Sequence, residues 1–132
     1  MRSIAMASGL MARAWSALAS YRVFEVLTWS GMLALVVLSV VPAAERPVTG
    51  LPHDFEHVFA YGAVGICAGL GFKATIPIRF AAAIAFVGAV ELAQIPLSTR
   101  HAQLEDFVVD AVGVCIGIMA GTLVRMAVRD KA

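Results

Sequence analysis

Apolar residues fall into four runs along the chain, and short connectors that carry proline or charged residues separate these runs. The runs cover roughly residues 23–41, 58–72, 80–97 and 107–126. Each run comes near the ~17–25 residues that a transmembrane helix needs, although the second is short. Connectors this short force neighbouring helices to run antiparallel, so the pattern predicts an all-α integral membrane protein whose four helices form an up-down bundle.

The composition agrees with membrane insertion. Of the 132 residues, 61% are hydrophobic, and the mean hydropathy is +0.87. Soluble domains contain only roughly 45–50% apolar residues. Cys67 and Cys115 both lie inside apolar runs, where we expect small core residues rather than a disulfide. The sequence shows no nucleotide-binding loop and no haem or iron–sulfur spacing, so we expect no cofactor and no nucleic-acid partner.

Charged residues divide unequally between the two ends of the predicted bundle. One end collects eight of the ten basic residues, namely Arg2, Arg13, Arg22, Lys73, Arg79, Arg125, Arg129 and Lys131, and the other carries Arg46 and Arg100. Basic residues near the ends of spans resist translocation, so the first end and both termini are predicted to be cytoplasmic. The outer half holds seven of the nine acidic residues, namely Glu45, Asp54, Glu56, Glu91, Glu105, Asp106 and Asp110.

Residues 1–22 are predicted to form an amphipathic helix that lies in the membrane interface. Met11, Trp15 and Leu18 fall on one helical face, and Gly9, Arg13, Ser16 and Ser20 fall on the other. A signal peptide is the alternative, because residues 17–19 resemble a cleavage site, but Arg13 interrupts the apolar core that such a peptide needs. The predicted organisation is an interfacial segment over 1–22, a four-span transmembrane domain over 23–128 and a short tail over 129–132.

Glycines recur at four-residue intervals in two of the spans. Gly65 and Gly69 lie in the second span, and Gly113, Gly117 and Gly121 lie in the fourth. Small residues at this spacing let helix backbones approach closely in lipid. We predict that these glycines pack the second helix against the fourth, although the same ridge would also suit a homodimer or a partner membrane protein.

Two acidic residues lie deep within the predicted spans. At a rise of about 1.5 Å per residue, Asp110 lies about 6 Å deeper than Asp106, and Glu91 lies roughly 10 Å below the outer end of its span. Charged groups in lipid are expensive, so they face the bundle interior or a water-filled cavity. Both acids are therefore candidates for a functional site.

Three of the predicted helices direct polar groups toward one region beneath the outer surface. The second span contributes Asp54, His57 and Tyr61, the third contributes Glu91 and Gln94, and the fourth contributes Asp106 and Asp110. Within each span the spacing is three or four residues, which places the side chains on one helical face. Arg100 is the strong base nearest to this region in the sequence, and its guanidinium would pair with a carboxylate or with a lipid phosphate.

Proline and the excess of acid both predict a hydrated site. Pro96 removes a backbone donor and frees the carbonyl of Leu92, which is expected to loosen the third helix next to Glu91. The acids outnumber the bases, and close carboxylates cannot all stay ionised away from water. Either a carboxylate is protonated, or His57 is protonated, or a cation is bound.

The order and spacing of these residues resemble those of the VanZ-like membrane proteins. That family's pattern has D-K-x-x-H-x-x-x-Y opening one helix, E-x-x-Q on the next, and then R, D, N and two glycines leading into and along the last. The matching residues here are Asp54, His57, Tyr61, Glu91, Gln94, Arg100, Asp106, Gly113 and Gly117, and the resemblance covers about residues 50–120. Two positions depart from the pattern: Phe55 replaces the basic residue, and Asp110 replaces the asparagine.

The resemblance implies a location in the cytoplasmic membrane of a bacterium and a role in the cell envelope. VanZ-like proteins are associated with low-level resistance to the lipoglycopeptide antibiotic teicoplanin. The implied function is binding or modulation of a lipid-linked or lipoglycopeptide ligand at a site open to the outer face of the membrane. The implied binding residues are Asp54, His57, Tyr61, Glu91, Gln94, Arg100, Asp106 and Asp110.

Two other functions remain open at this stage. In a membrane enzyme acting on a lipid-linked phosphate, Asp54 would orient His57 as a base or nucleophile, and Glu91 or Tyr61 would act as the acid. In a structural accessory subunit of a membrane complex, the polar groups would lock the helices in register by bonding to one another. No span places a Ser or Cys nucleophile beside His57, which argues against an enzyme but leaves the question open.

A metal site is a further alternative. His53, Glu56 and His57 form the H-x-x-E-H string of inverted zinc metallopeptidases, with Glu91 or Asp106 as the obvious third ligand. The string follows Pro52 directly at a helix start, whereas a peptidase fixes its ligands on a formed helix with supporting partners. A match this short is common by chance, so we expect no bound metal.

Overall fold

The computed structural model describes the backbone of residues 2–42, 45, 50–96 and 104–129, and the side chains from residue 21 onward within these ranges. The chain forms α1 (Arg2–Val40), α2 (His53–Gly71), α3 (Ile76–Gln94) and α4 (Leu104–Arg129). The prediction of an all-α chain with four helices is confirmed.

Local sequence accounts for where α2 and α3 begin. Pro52 directly precedes the first residue of α2, and Asp54 and Glu56 follow in its first turn, where the partial positive charge of the helix start favours acids. Thr75 precedes α3, and Pro77 lies in its first turn, where a missing backbone N–H costs nothing. These residues fix both helix starts.

Three of the described helices are long and apolar enough to cross a membrane. They correspond to Tyr21–Val40 in α1, to α3 and to α4. Large apolar side chains such as Trp29, Leu33 and Ile116 are more than half exposed on the outside of these helices. The chain is therefore a multi-pass membrane protein.

Helix α2 differs from the four-span prediction. It has 19 residues, which is long enough to span, but it is not among the helices whose composition qualifies. The apolar run that predicted a span over 58–72 is preceded, in the same helix, by His53, Asp54, Glu56 and His57. These polar first turns lower its mean hydropathy.

Helix α1 continues without a break across the predicted boundary at residue 22. Its 39 residues rise about 58 Å along the axis, which is nearly twice the roughly 30 Å thickness of the hydrocarbon core. A large part of α1 must therefore lie outside the hydrocarbon. The interfacial placement of residues 1–22 and the cytoplasmic location of both termini stay predictions.

The four helices alternate in direction, as the short connectors predict. Gly71 at the end of α2 lies against Phe24 and Glu25 near the start of the membrane part of α1, whereas Gly62 and Gly69 lie against successively later residues of α4. Thus α2 is antiparallel to α1 and parallel to α4. The most extensive contact is between α2 and α4, with α1 packed on α2 and α3 packed on α4.

Glycines bring the backbones of α2 and α4 into direct contact. A Cβ added to Gly69 would lie 2.5 Å from the Ile118 carbonyl oxygen and 2.8 Å from the Thr122 amide nitrogen. Added Cβ atoms on Gly65, Gly117 and Gly121 would likewise collide with backbone carbonyls of the opposite helix. The structure therefore places Gly65, Gly69, Gly113, Gly117 and Gly121 at this interface, and Gly62 joins them.

Pro96 ends α3 instead of loosening it, so the prediction of an interrupted helix was wrong. The last helical residue is Gln94, and the Ile95 backbone N–H donates to the Leu92 carbonyl at 3.3 Å. The Leu92 carbonyl is thus satisfied by a tighter final turn. Ile95 keeps helical backbone angles, but Pro96 has no backbone N–H with which to continue the helical hydrogen bonds, so the helix ends here.

Candidate functional site

Polar side chains on α2 and α4 form two facing rows at one end of the bundle. His53, His57 and Tyr61 succeed one another along α2 at four-residue intervals, with ring centroids 4.3 Å apart for the first pair and 6.3 Å apart for the second. Asp106 and Asp110 occupy the same spacing on α4. Because α2 and α4 are parallel, the two rows run side by side from the helix starts into the bundle.

The closest contact between the rows joins His57 to Asp110. The His57 Nδ1 atom lies 2.8 Å from Asp110 Oδ1. Asp110 is fully buried, whereas the His57 side chain keeps 19% of its exposure. The second carboxylate oxygen of Asp110 is also buried, and no described residue hydrogen-bonds to it.

The second pair of the rows is closer to the surface and looser. His53 Nε2 lies 3.6 Å from Asp106 Oδ1, and the two side chains are 54% and 16% exposed. The site thus has an accessible edge at His53 and Asp106 and a buried floor at Asp110. A ligand that approaches the helix starts would meet the imidazoles before the buried carboxylate.

Tyr61 forms the inner end of the histidine row. It is buried in the core, its ring stacks on His57, and it lies near Asp110 on α4 and Ser39 on α1. The Ser39 hydroxyl itself donates to the Leu35 carbonyl at 2.7 Å. Through Tyr61 the site therefore includes α1, which the sequence reasoning did not assign to it.

Helix α3 supplies two further buried polar residues. Glu91 and Gln94 are 7% and 4% exposed. The carboxylates of Glu91 and Asp106 both lie close enough to His57 to interact with it electrostatically. The carboxylate in direct contact with His57 is that of Asp110, and those of Asp106 and Glu91 lie farther away in the same region.

We use the name polar cluster for the residues that the structure brings together at this end. They are His53, His57, Tyr61, Glu91, Gln94, Asp106 and Asp110. All except His53, which the sequence offered only as a metal ligand, are among the binding residues predicted from the sequence.

Two residues named from the sequence are not part of the described cluster. Asp54 is exposed, so the prediction that it orients His57 was wrong. The carboxylate that bonds to His57 belongs to Asp110 on α4. Arg100 lies outside the described residues. Among the residues that are described, no three His, Cys, Asp or Glu side chains converge closely enough to hold a metal ion.

A second polar group, at the opposite end of the bundle, was missed by the sequence reasoning. Arg79 had been counted as a connector residue, but it lies in the first turn of α3 and is only 7% exposed. Its Nη1 atom donates to the Gly69 carbonyl at 3.2 Å and to the Thr122 hydroxyl at 2.9 Å. The sequence does contain a sign that Arg79 is helical, because Thr75, a residue type that favours helix starts, comes four residues before it.

Arg125 on α4 completes this second group. Its Nη1 atom donates to the Phe72 carbonyl at 2.6 Å. Arg79 and Arg125 therefore both bind carbonyls in the last turn and at the C-cap of α2, where the partial negative charge of a helix end favours cations. We call these two residues, together with Thr122, the arginine end.

Between the two polar groups lies a cavity of about 230 Å³. Its walls are almost wholly apolar and come from all four helices, with Tyr61 at the level of the polar cluster and Arg79 at the level of the arginine end. Helices α1 and α3, which contribute much of the lining, meet each other only sparsely. We call this space the helix cavity.

These features define a multi-pass helical membrane protein with a glycine-packed central helix pair, a polar cluster at one end and two arginines at the other. Comparison of the chain with protein-family models, with curated protein sequences and with solved structures finds no match.

Proposed function

We propose that this protein is a VanZ-like protein of the bacterial cytoplasmic membrane whose polar cluster binds the polar head of an amphiphilic ligand at the outer face. In this proposal α2 is the fourth span. Its contact with α4, from Val58 opposite Gly113 to Gly69 opposite Gly121, supports this, because a helix packed along a spanning helix lies at the same depth. The ligand class is a lipid-linked intermediate or a lipoglycopeptide.

The observation that carries the proposal is the graded exposure of the facing rows. His53 is accessible and His57 is partly so, whereas Asp110 is buried with one oxygen on His57 and no described partner for the other. A purely structural pair would need no accessible edge. A binding site needs both an entrance and fixed polar groups behind it.

The charge of the cluster favours one kind of head group. The cluster contains the carboxylates of Asp106, Asp110 and Glu91, and carboxylates accept hydrogen bonds better than they tolerate another anion. The described residues therefore suit a head rich in N–H and O–H donors, such as the sugar or peptide part of a lipid-linked saccharide or a lipoglycopeptide. A phosphate would depend on Arg100.

An enzyme acting on a lipid-linked phosphate is the second candidate, and one contact favours it. His57 uses Nδ1 for the buried Asp110, which makes Nε2 the nitrogen that would meet a substrate. A histidine oriented in this way by a carboxylate is the arrangement of many general bases. In this reading Glu91 is the candidate acid, and turnover of the ligand is the distinguishing result.

Ligand-dependent thermal unfolding tests the proposal. Purified protein is titrated with a lipoglycopeptide and, separately, with a lipid-linked saccharide phosphate. A ligand at 100 times its Kd stabilises the folded state by about 2.7 kcal/mol. Glu91→Gln, which keeps the side-chain volume, is expected to lose this stabilisation, whereas Asp54→Asn removes an exposed carboxylate at the same end and is expected to keep it.

The alternatives give different results in the same experiment. If neither ligand stabilises the wild type and Glu91→Gln lowers the melting temperature of the free protein, the cluster has the structural role of an accessory subunit. If a ligand stabilises the wild type and is also converted to product, the protein is an enzyme.

A further inference from the structure

The helix cavity is large enough to hold part of a lipid. Apolar cavities of about 150 Å³ in proteins stay dry and take up benzene, and this one measures about 230 Å³. Its lining includes Trp29 and Met32 from α1, Ala82 and Phe86 from α3, and Ile118 from α4. Such a lining offers an acyl chain dispersion contacts and offers water almost no hydrogen bonds.

One end of the cavity carries a buried positive charge that the described residues leave incompletely bonded. Arg79 lines the cavity, is 7% exposed, and uses Nη1 for Gly69 and Thr122. Its Nε atom is buried and has no hydrogen-bond partner among the described residues. An unsatisfied donor on a buried guanidinium is costly, so it favours an acceptor that enters from the cavity.

A second positive charge stands beside the first. The guanidinium of Arg125 is near enough to Arg79 to repel it, and within the described part of the chain no Asp or Glu forms an ion pair with either arginine. Arg125 is bonded to the carbonyl of Phe72, which is itself a cavity-lining residue. Two guanidinium groups at the end of an apolar cavity are complementary to an anionic head with an apolar tail.

We propose that the helix cavity binds an acyl chain of an amphiphile whose anionic head, a phosphate or a carboxylate, pairs with Arg79 and Arg125. The site lies at the opposite end of the bundle from the polar cluster and does not depend on the ligand bound there. By the charge asymmetry of the sequence, the head group would come from the cytoplasmic leaflet. The anion would neutralise a charge that the described residues leave without a partner.

Trp29 lines the cavity but is 61% exposed, so the part of its quenching that a cavity-filling variant removes reports an occupied cavity. The chain has two tryptophans, Trp15 and Trp29, so Trp15→Phe leaves the cavity-lining one as the sole source of tryptophan fluorescence. The full-length Trp15→Phe protein in detergent is titrated with phosphatidylglycerol, phosphatidylcholine or a free fatty acid, each carrying a brominated acyl chain that quenches tryptophan. We expect half-maximal quenching by phosphatidylglycerol at about tenfold lower concentration than by phosphatidylcholine, a difference of about 1.4 kcal/mol.

Variants separate the chain site from the head site. Ala82→Phe places a ring at the cavity, and we expect it to weaken quenching by phosphatidylglycerol about tenfold, again about 1.4 kcal/mol. Ala85→Phe adds the same ring to an exposed position of α3 that does not line the cavity, and it should leave quenching unchanged. Arg79→Gln should remove the preference for the anionic lipid.

Each result has a definite meaning. Strong quenching by the fatty acid identifies a carboxylate head, and quenching by phosphatidylglycerol alone identifies a phosphodiester head whose charge no choline offsets; both support the site. Equal quenching by phosphatidylglycerol and phosphatidylcholine would overturn the role of the arginines. Unchanged quenching in Ala82→Phe would overturn the cavity as the site of the acyl chain. Because Ala82→Phe leaves the hydrogen bonds of Arg79 in place, it still tests the proposal if Arg79→Gln does not fold.

Discussion

The two sides of this bundle are built in opposite ways. On one side α2 and α4 touch backbone to backbone, and an added Cβ on any of four interface glycines would collide with a carbonyl. On the other side α1 and α3 meet sparsely, and side chains as large as Trp29 and Phe86 still leave a cavity of about 230 Å³. The α2–α4 pair thus leaves no free space between its backbones, whereas the α1–α3 side leaves a cavity.

The difference shows what holds helices together in lipid. Burial of apolar side chains gains little where the solvent is itself apolar, so close packing and hydrogen bonds must supply the attraction. The α2–α4 pair has both, with glycines along its length, the His57–Asp110 contact near one end and the Arg79–Gly69 contact near the other. Helix α3 lacks such a partner in α1, and the gap between them remains.

The largest expected effect comes from adding one methyl group to the closed interface. Gly117→Ala places a Cβ against the Gly62 carbonyl oxygen and 2.9 Å from the Ile66 amide nitrogen, so the two backbones must separate. We expect destabilisation near the upper end of the ~1–3 kcal/mol that overpacking usually costs. Denaturant titration in detergent micelles measures this loss.

A matched glycine on α3 serves as the control for that change. A Cβ on Gly88 would meet only the Phe107 ring, at an ordinary contact distance of 3.6 Å. Gly88→Ala should be neutral or slightly stabilising, because alanine is the better helix former. Equal losses from Gly88→Ala and Gly117→Ala would mean that the α2–α4 contact is not specially tight.

A smaller effect is expected from removing the polar contact at the polar-cluster end of the same pair. His57→Ala leaves the fully buried Asp110 without the imidazole, and a buried polar group that loses its partner costs about 1–3 kcal/mol. We expect a loss of about 2 kcal/mol. Adding Asp110→Leu should recover part of this loss, because the carboxylate that lacks its partner is then gone. If the stability losses of the two single variants simply add in the double variant, the His57–Asp110 contact does not link the helices.

The smallest effect is expected on the open side, from the largest added volume. Ala83 is partly buried and lines the cavity, so Ala83→Leu extends into existing space. Cavity filling of this kind leaves stability unchanged or raises it by about 0.5–2 kcal/mol. A loss as large as that of Gly117→Ala would show that the space closes in the folded protein.

Much of the closed side was predictable because its signals are local in the sequence. Glycines at four-residue intervals indicate close packing whichever helix they meet, and the i, i+4 spacing of Asp106 and Asp110 places them on one face. The depth of Asp110 within an apolar run indicated that it faces the interior. The four helices and their alternating directions followed from the apolar runs and the short connectors.

The features that were missed depend on which helices are neighbours in space. Asp54 is three residues before His57, yet the carboxylate bonded to His57 belongs to α4. The contribution of Ser39 and the burial of Arg79 arise because α1 packs on α2 and the first turn of α3 reaches the end of α2. Spacing along the chain contains no information about these contacts.

The polar first turns of α2 affect how the protein is inserted into the membrane. Nascent segments leave the translocon for lipid according to their own hydrophobicity, and the two histidines and the glycine ridge of α2 find their contacts on α4. The ribosome makes α2 two helices before it makes the 26 residues of α4. We expect the nascent α2 to wait at the translocon, so that the bundle closes only when the last helix emerges.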